Sequence, residues 1–154
     1  MGAYFLDSSA LVKRYLSEAG SPWVLHVTHP SAGNRLYIVR IAPVEVASAI
    51  TRKEREGALT SQDAQTAVDQ LRQDVMLQYR VVAMDGPLAE DAVAAVRKHA
   101  LRAYDAAQLA AALSVERQRT AGSRPPLTFV CADAVLNAAA AAEGLVVEDP
   151  NSHP

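Results

Sequence analysis

Short runs of unbroken hydrophobicity alternate along this chain with longer stretches whose apolar residues recur every three or four positions. Five runs predict strands: AYFL ahead of Asp7, LYIVR from Leu36, YRVVAM ahead of Asp85, LTFV after Pro125 and Pro126, and GLVVE near the end. None alternates cleanly between apolar and polar, which is the pattern of strands covered on both faces. The stretches between them read as helices. SALVKRYLSEAG stops at Gly20, and PVEVASAITRKEREG starts at Pro43 and stops at Gly57, in keeping with proline in first turns and glycine just past helix ends. SQDAQTAVDQLRQDVMLQ carries a stripe of Ala64, Ala67, Val68 and Leu71, the spacing of one helix face. PLAEDAVAAVRKHA, LRAYDAAQLAAALSVERQR and DAVLNAAAAAEG complete the helical set. The segment 24–35, VLHVTHPSAGNR, predicts a loop or ragged connection, and SRPP from Ser123 predicts another. Strands alternating with helices predict a parallel five-stranded sheet with helices on both faces, a three-layer α/β/α arrangement. Residues 1–149 read as a single domain and residues 150–154 as a loose tail.

Composition narrows the class only modestly. The chain has 154 residues, half of them hydrophobic and 21% charged, with a net charge of −2. That is ordinary for a globular protein, and the overall field does not attract polyanions; nucleic-acid binding requires a local basic patch. One cysteine, Cys131, allows no internal disulfide. The apolar start of the chain reaches Asp7 too soon to form a signal peptide or membrane span. Both features point to a cytoplasmic protein without membrane association.

The chemistry lies in the acids. In open α/β sheets, sites form beyond the carboxyl ends of the strands, where strand order reverses. Asp7 ends the first strand run and Asp133 follows the fourth. If strands two and three lie on one side of strand one and strands four and five on the other, Asp7 and Asp133 face each other there. Glu45 opens the helix after strand two, and Asp105 opens the alanine-rich helix before strand four. Two ionised carboxylates about 5 Å apart repel by roughly 3 kcal/mol at an effective dielectric near 20. A cluster of four persists when it holds a hard cation such as magnesium or manganese, which activates water and offsets phosphate charge. That is the chemistry of phosphodiester hydrolysis.

Each acid also has a plainer reading. Asp7 and Asp133 stand where they can cap the following helices, Glu45 can complement a helix N-terminus, and Asp105 with Gln108 has capping-box spacing. Among the basic residues, Lys13, Arg14, Arg52, Lys53, Arg55, Arg97, Lys98 and Arg102 are either solvated helix faces or phosphate contacts. Arg52, two turns beyond Glu45 on the same face, is the preferred phosphate contact. His26 and His29 form an HVTH pair, but Pro30 and the residues after it favour a loop over a metal site. Cys131 reads as a small buried residue, and Trp23 and Tyr37 as packing residues. Tyr15 and Leu16 read as part of a core or dimer face.

Four motifs together resemble the PIN-domain ribonucleases, and among them the VapC-type toxins of bacterial toxin–antitoxin systems. They are DSSALVKRY from Asp7, PVEVASAITR from Pro43, YDAAQLAAA from Tyr104 and FVCADAVLNAAAAAEGL from Phe129. The likeness spans nearly the whole chain. It implies a sheet of order 3-2-1-4-5, with Asp7, Glu45, Asp105 and Asp133 as metal-binding and catalytic acids. It also implies magnesium- or manganese-dependent RNA cleavage, a small antitoxin protein as partner, and a homodimer. Many such proteins carry Ser or Thr where this chain has Cys131, and a thiol is the poorer donor. Ser8 or Ser9 can supply a hydroxyl in its place. Two other readings compete: a PIN-like module that binds RNA or protein without cutting, and a receiver-like phospho-signalling domain. The latter usually has adjacent acids after its first strand, whereas Asp7 is followed by two serines.

Overall fold

The computed structural model describes residues 1–153. Five strands, β1 (Ala3–Leu6), β2 (Arg35–Val39), β3 (Tyr79–Val82), β4 (Thr128–Val130) and β5 (Val146–Glu148), form one sheet in the order β3-β2-β1-β4-β5. Every pairing is parallel. β1, β3, β4 and β5 lie inside runs that the hydrophobic pattern marks, and β2 begins one residue earlier than its run, at Arg35. A receiver-like sheet runs 2-1-3-4-5, so the observed order excludes that reading. The central β1 is the most enclosed: Phe5 and Leu6 are fully buried, and the Phe5 and Phe129 rings stack at 5.9 Å between centroids. Among the described residues the helices are α1 (Ser8–Leu11), α2 (Ser21–Thr28), α3 (Ala42–Arg55), α4 (Ser61–Leu77), α5 (Gly86–His99), α6 (Ala103–Ala121) and α7 (Ala134–Ala142). They cover the sheet as the outer layers of a three-layer α/β/α fold. None is long and apolar enough to cross a membrane.

The structure corrects the reading of residues 9–20 as one helix. α1 lasts four residues and gives way to a 3-10 turn at Val12–Arg14. The chain then folds back: the Ser21 hydroxyl accepts from the Glu18 amide and donates to the Leu16 carbonyl, both at 2.9 Å. Gly20 is not the end of that helix but the N-cap of α2, which occupies part of the segment read as a loop. α2 forms because Ser21, Val24, Val27 and Thr28 share one buried face and Pro22 sits in its first turn. Only the remainder is irregular, with a 3-10 turn at Pro30–Ala32.

The tail is also more ordered than its polar composition suggests. Pro150–Ser152 form a 3-10 turn with Pro150 buried, and the His153 ring stacks on Trp23 at 4.8 Å. Residue 154 lies outside the described residues. This docking explains Gly20. Its φ is +80°, and a Cβ there would stand 2.2 Å from the Pro150 carbonyl oxygen. Gly20→Ala is expected to lower unfolding stability by about 2 kcal/mol or more, from left-handed strain and displacement of the turn. Gly33 has φ +65° but open space around it, so Gly33→Ala is expected to cost only about 1 kcal/mol. Denaturant titration of the two variants side by side checks the difference.

A polar network joins the first turns to α4 and β3. Asp74, 6% exposed, accepts from the Tyr15 hydroxyl at 2.8 Å and Gln70 at 2.9 Å, and pairs with Arg14 at 3.1 Å. Arg14 donates to the Tyr79 hydroxyl at 2.9 Å and lies over both tyrosine rings. Burial pushes the Tyr79 hydroxyl up to about 12 and raises Tyr15 further, so both stay neutral. Lys13 is likewise buried, paired with Glu18 at 3.4 Å. These two basic residues serve the fold rather than a phosphate groove.

Candidate active site

Asp7 leaves β1 where the sheet reverses order. Its amide continues the sheet by donating to the Val130 carbonyl at 3.1 Å. Its side chain is 4% exposed; Oδ1 accepts from the Ala10 amide at 2.9 Å and the Ser9 hydroxyl at 2.7 Å. The capping reading is therefore correct as far as Oδ1 goes. Ser9 Oγ also accepts from the Ala132 amide at 2.9 Å, tying the end of β1 to the end of β4. Burial pushes the Asp7 carboxyl up to about 6, against the pull of these donors.

Glu45 stands in the first turn of α3, half-buried. It accepts from the Ser8 hydroxyl and, at 2.9 Å, from Gln108 Nε2. Gln108 also donates to Ser8 Oγ at 2.6 Å. Burial lifts the Glu45 carboxyl to about 7; Gln108 opposes this, and the charges of Asp7 and Asp105 add to it.

Asp105 lies in the first turn of α6, behind an N-cap contributed by Arg102. Burial raises it, Asp133 raises it further, and Arg102 opposes. Asp133 is exposed and caps α7, its Oδ1 accepting from the Leu136 amide at 2.8 Å. The four acids therefore form a row of electrostatic neighbours, Asp7 to Glu45 to Asp105 to Asp133, across the carboxyl ends of the central strands.

The capping box read from Asp105 and Gln108 does not form. Gln108, 1% exposed, reaches across to α1 and α3 instead. It was missed as a site residue, and the available signal was a lone amide among buried alanines, a group that burial obliges to find partners. Cys131 is fully buried and its Sγ accepts from the Asp133 amide at 3.3 Å, while burial pushes its thiol up. The thiol thus steadies the fourth acid's backbone and is no nucleophile. His29 bonds to Ser31 rather than pairing with His26, and the HVTH pair forms no metal site.

Among the described residues no three His, Cys, Asp or Glu side chains close around one point as a ready-made cage. The donor chemistry still suits a hard divalent ion. The acids are oxygen ligands, the ionised forms of Asp7, Glu45 and Asp105 are disfavoured by burial, and Gln108 Oε1 is buried beside them with no hydrogen-bond partner. Magnesium keeps several waters and is commonly held through only one or two carboxylates, so a row of acids is enough.

The sheet order and the helical layers on both faces are those of a PIN-like fold. No protein-family model matches the chain, and no curated protein does. Solved structures do. The protein PAE2754 from Pyrobaculum aerophilum is 20% identical with a TM-score of 0.60, covering 95% of this chain and 89% of that one. FitAcB from Neisseria gonorrhoeae is 17% identical with a TM-score of 0.65, covering 98% and 99%. VapBC2 from Rickettsia felis, solved bound to a DNA fragment from its promoter, is 11% identical with a TM-score of 0.59, covering 96% and 98%. At these identities the shared property is the fold.

Proposed function

We propose that this chain is a magnesium- or manganese-dependent endoribonuclease and the toxin of a toxin–antitoxin pair. The observation that carries the reading is the row of acids at the sheet's switch point, three of them, Asp7, Glu45 and Asp105, partly desolvated. Such a row is costly in isolation, because the charges of Asp7 and Asp105 raise the proton affinity of Glu45, and that of Asp133 raises the proton affinity of Asp105. Asp7, Glu45, Asp105 and Asp133 would hold the ion, one or two of them directly and the others through its waters. A bound divalent ion supplies a more acidic water and neutralises charge on the phosphate oxygens. The protein's own part is orientation. Ser9 fixes the rotation of Asp7, and Ser8 with Gln108 fixes Glu45. Arg52 is the phosphate contact on the α3 side. The likeness in fold to FitAcB and VapBC2 supports a small antitoxin as partner. A homodimer in the cytoplasm completes the proposal.

The test uses purified protein, several RNAs and manganese, with and without a chelator. Chelator-sensitive cleavage is expected. Manganese is also expected to raise the unfolding temperature, and more at pH 8 than at pH 5, because protons compete for the same carboxylates. Manganese stabilisation without cleavage of any RNA would favour the non-cutting PIN-like module.

A further inference from the structure

Beside Glu45 a hollow of about 340 Å³ opens between α3 and the start of α6. This falls within the usual range of small-molecule sites, roughly 300–1,000 Å³. Glu45, Ser48, Ala49 and Arg52 form its floor along one face of α3, the i, i+3, i+4, i+7 spacing that brings side chains together. Tyr104 forms the opposite wall, one residue before Asp105, and is 59% exposed. Large aromatic rings ordinarily gain by burial. This one stays open beside a row of acids, facing a hollow that also holds a hydroxyl and a guanidinium. Arg52 has no ion-pair partner among the described residues.

We propose that this hollow is a nucleobase subsite, in which an unpaired RNA base next to the cleaved phosphodiester stacks on Tyr104 while Arg52 engages the adjoining phosphate. The inference rests on the nuclease reading and specifies its substrate as single-stranded RNA. Three properties select a nucleotide. The aromatic face accepts any base, and stacking of this kind contributes about 1–3 kcal/mol per base. Arginine is the side chain best matched to a phosphate. Recognition of unstacked bases by aromatic and arginine planes is the usual route to single-stranded RNA. The neighbouring hollow shares Ile41 and Tyr104 and is otherwise lined by apolar residues such as Met84, Val93 and Val96; it lacks Arg52 and Ser48 and forms no part of the subsite.

Binding separates this inference from catalysis. Fluorescein-labelled single-stranded RNA is titrated by anisotropy against the full chain carrying Asp7→Asn, in magnesium buffer, with the same RNA as a duplex for comparison. Adding Tyr104→Ala is expected to weaken single-strand binding about 5-fold or more. Tyr104→Phe should bind within about twofold of the Tyr104 parent, since the ring and not the hydroxyl does the stacking, and duplex binding should not respond. The ring's exposure means these variants retain the fold. Equal single-strand binding by Tyr104→Ala and its parent overturns the subsite, as does equal loss in Tyr104→Phe or absence of RNA binding altogether. If wild type binds RNA through Tyr104 yet never cuts it, the nuclease reading fails and the subsite stands. If RNA is cut with an unchanged KM by Tyr104→Ala, the subsite fails and the nuclease reading stands.

Discussion

Asp7→Asn is expected to abolish RNA cleavage while making the metal-free protein more stable. Asparagine can still accept from the Ala10 amide, so the cap on α1 survives. What disappears is a buried negative charge. A carboxyl at about 6 rather than 3.8 corresponds to roughly 3 kcal/mol against the ionised form in the folded state. The sign follows from linkage. Below about pH 4 the carboxyl is protonated in folded and unfolded chains alike, and burial carries no penalty. As pH rises from about 4 to about 6, the unfolded chain ionises first and the folded state loses stability relative to it. Above about 6 the loss is complete. The stability of Asp7→Asn minus that of wild type should therefore widen from pH 4 to pH 6 and then level off near 3 kcal/mol. Urea titration in the presence of a chelator measures it. A variant less stable than wild type at pH 8 would mean that hydrogen bonds to the carboxylate outweigh its desolvation. Retained cleavage would remove Asp7 from the chemistry. Asp105→Asn is expected to abolish cleavage too, with a smaller stability gain because Asp105 is less buried.

Asp74→Ala is expected to produce the largest loss of stability, about 3–5 kcal/mol, by leaving the Arg14 charge without its buried carboxylate. It also removes the acceptor of Tyr15 and Gln70. Combining it with Arg14→Met should recover part of the loss, because no uncompensated charge then remains. Thermal and urea unfolding of the two single variants and the double check this. A double variant that is the sum of its parts would show that the two charges do not depend on each other.

The strands were legible because all five are short apolar runs. In central β1, β2 and β4 burial leaves that trace in sequence, while edge strands β3 and β5 keep the apolar composition though they are mostly not buried. The acids were legible because they sit where strands end and helices begin, and their order matched four recognisable motifs. The break after α1 was not legible. Apolar residues continue through Leu16, and the local side-chain bonds by which Ser21 turns the chain back, to Glu18 and Leu16, leave no trace in the hydrophobic pattern. α2 was obscured by its shortness and by the prolines and glycine around it. Arg14 read as a solvated charge or a phosphate contact, since nothing local in the sequence pairs it with Asp74, sixty positions on. Gln108 has the spacing of a cap partner, but in the fold its buried amide meets Ser8 and Glu45 from elements far apart in sequence instead.

α6 carries Asp105 and Gln108 at one end and a run of buried alanines, Ala106, Ala107, Ala110, Ala111 and Ala112, around and beyond them. Alanine has no rotamers to rearrange, so this helix is a stiff mount for the carboxylate and the amide it bears. Their positions are set by backbone against backbone, with no flexible side chains between to absorb a displacement. A perturbation several turns away would be transmitted along the rod to the reacting end, and it would be felt as lost alignment before it was felt as lost folding.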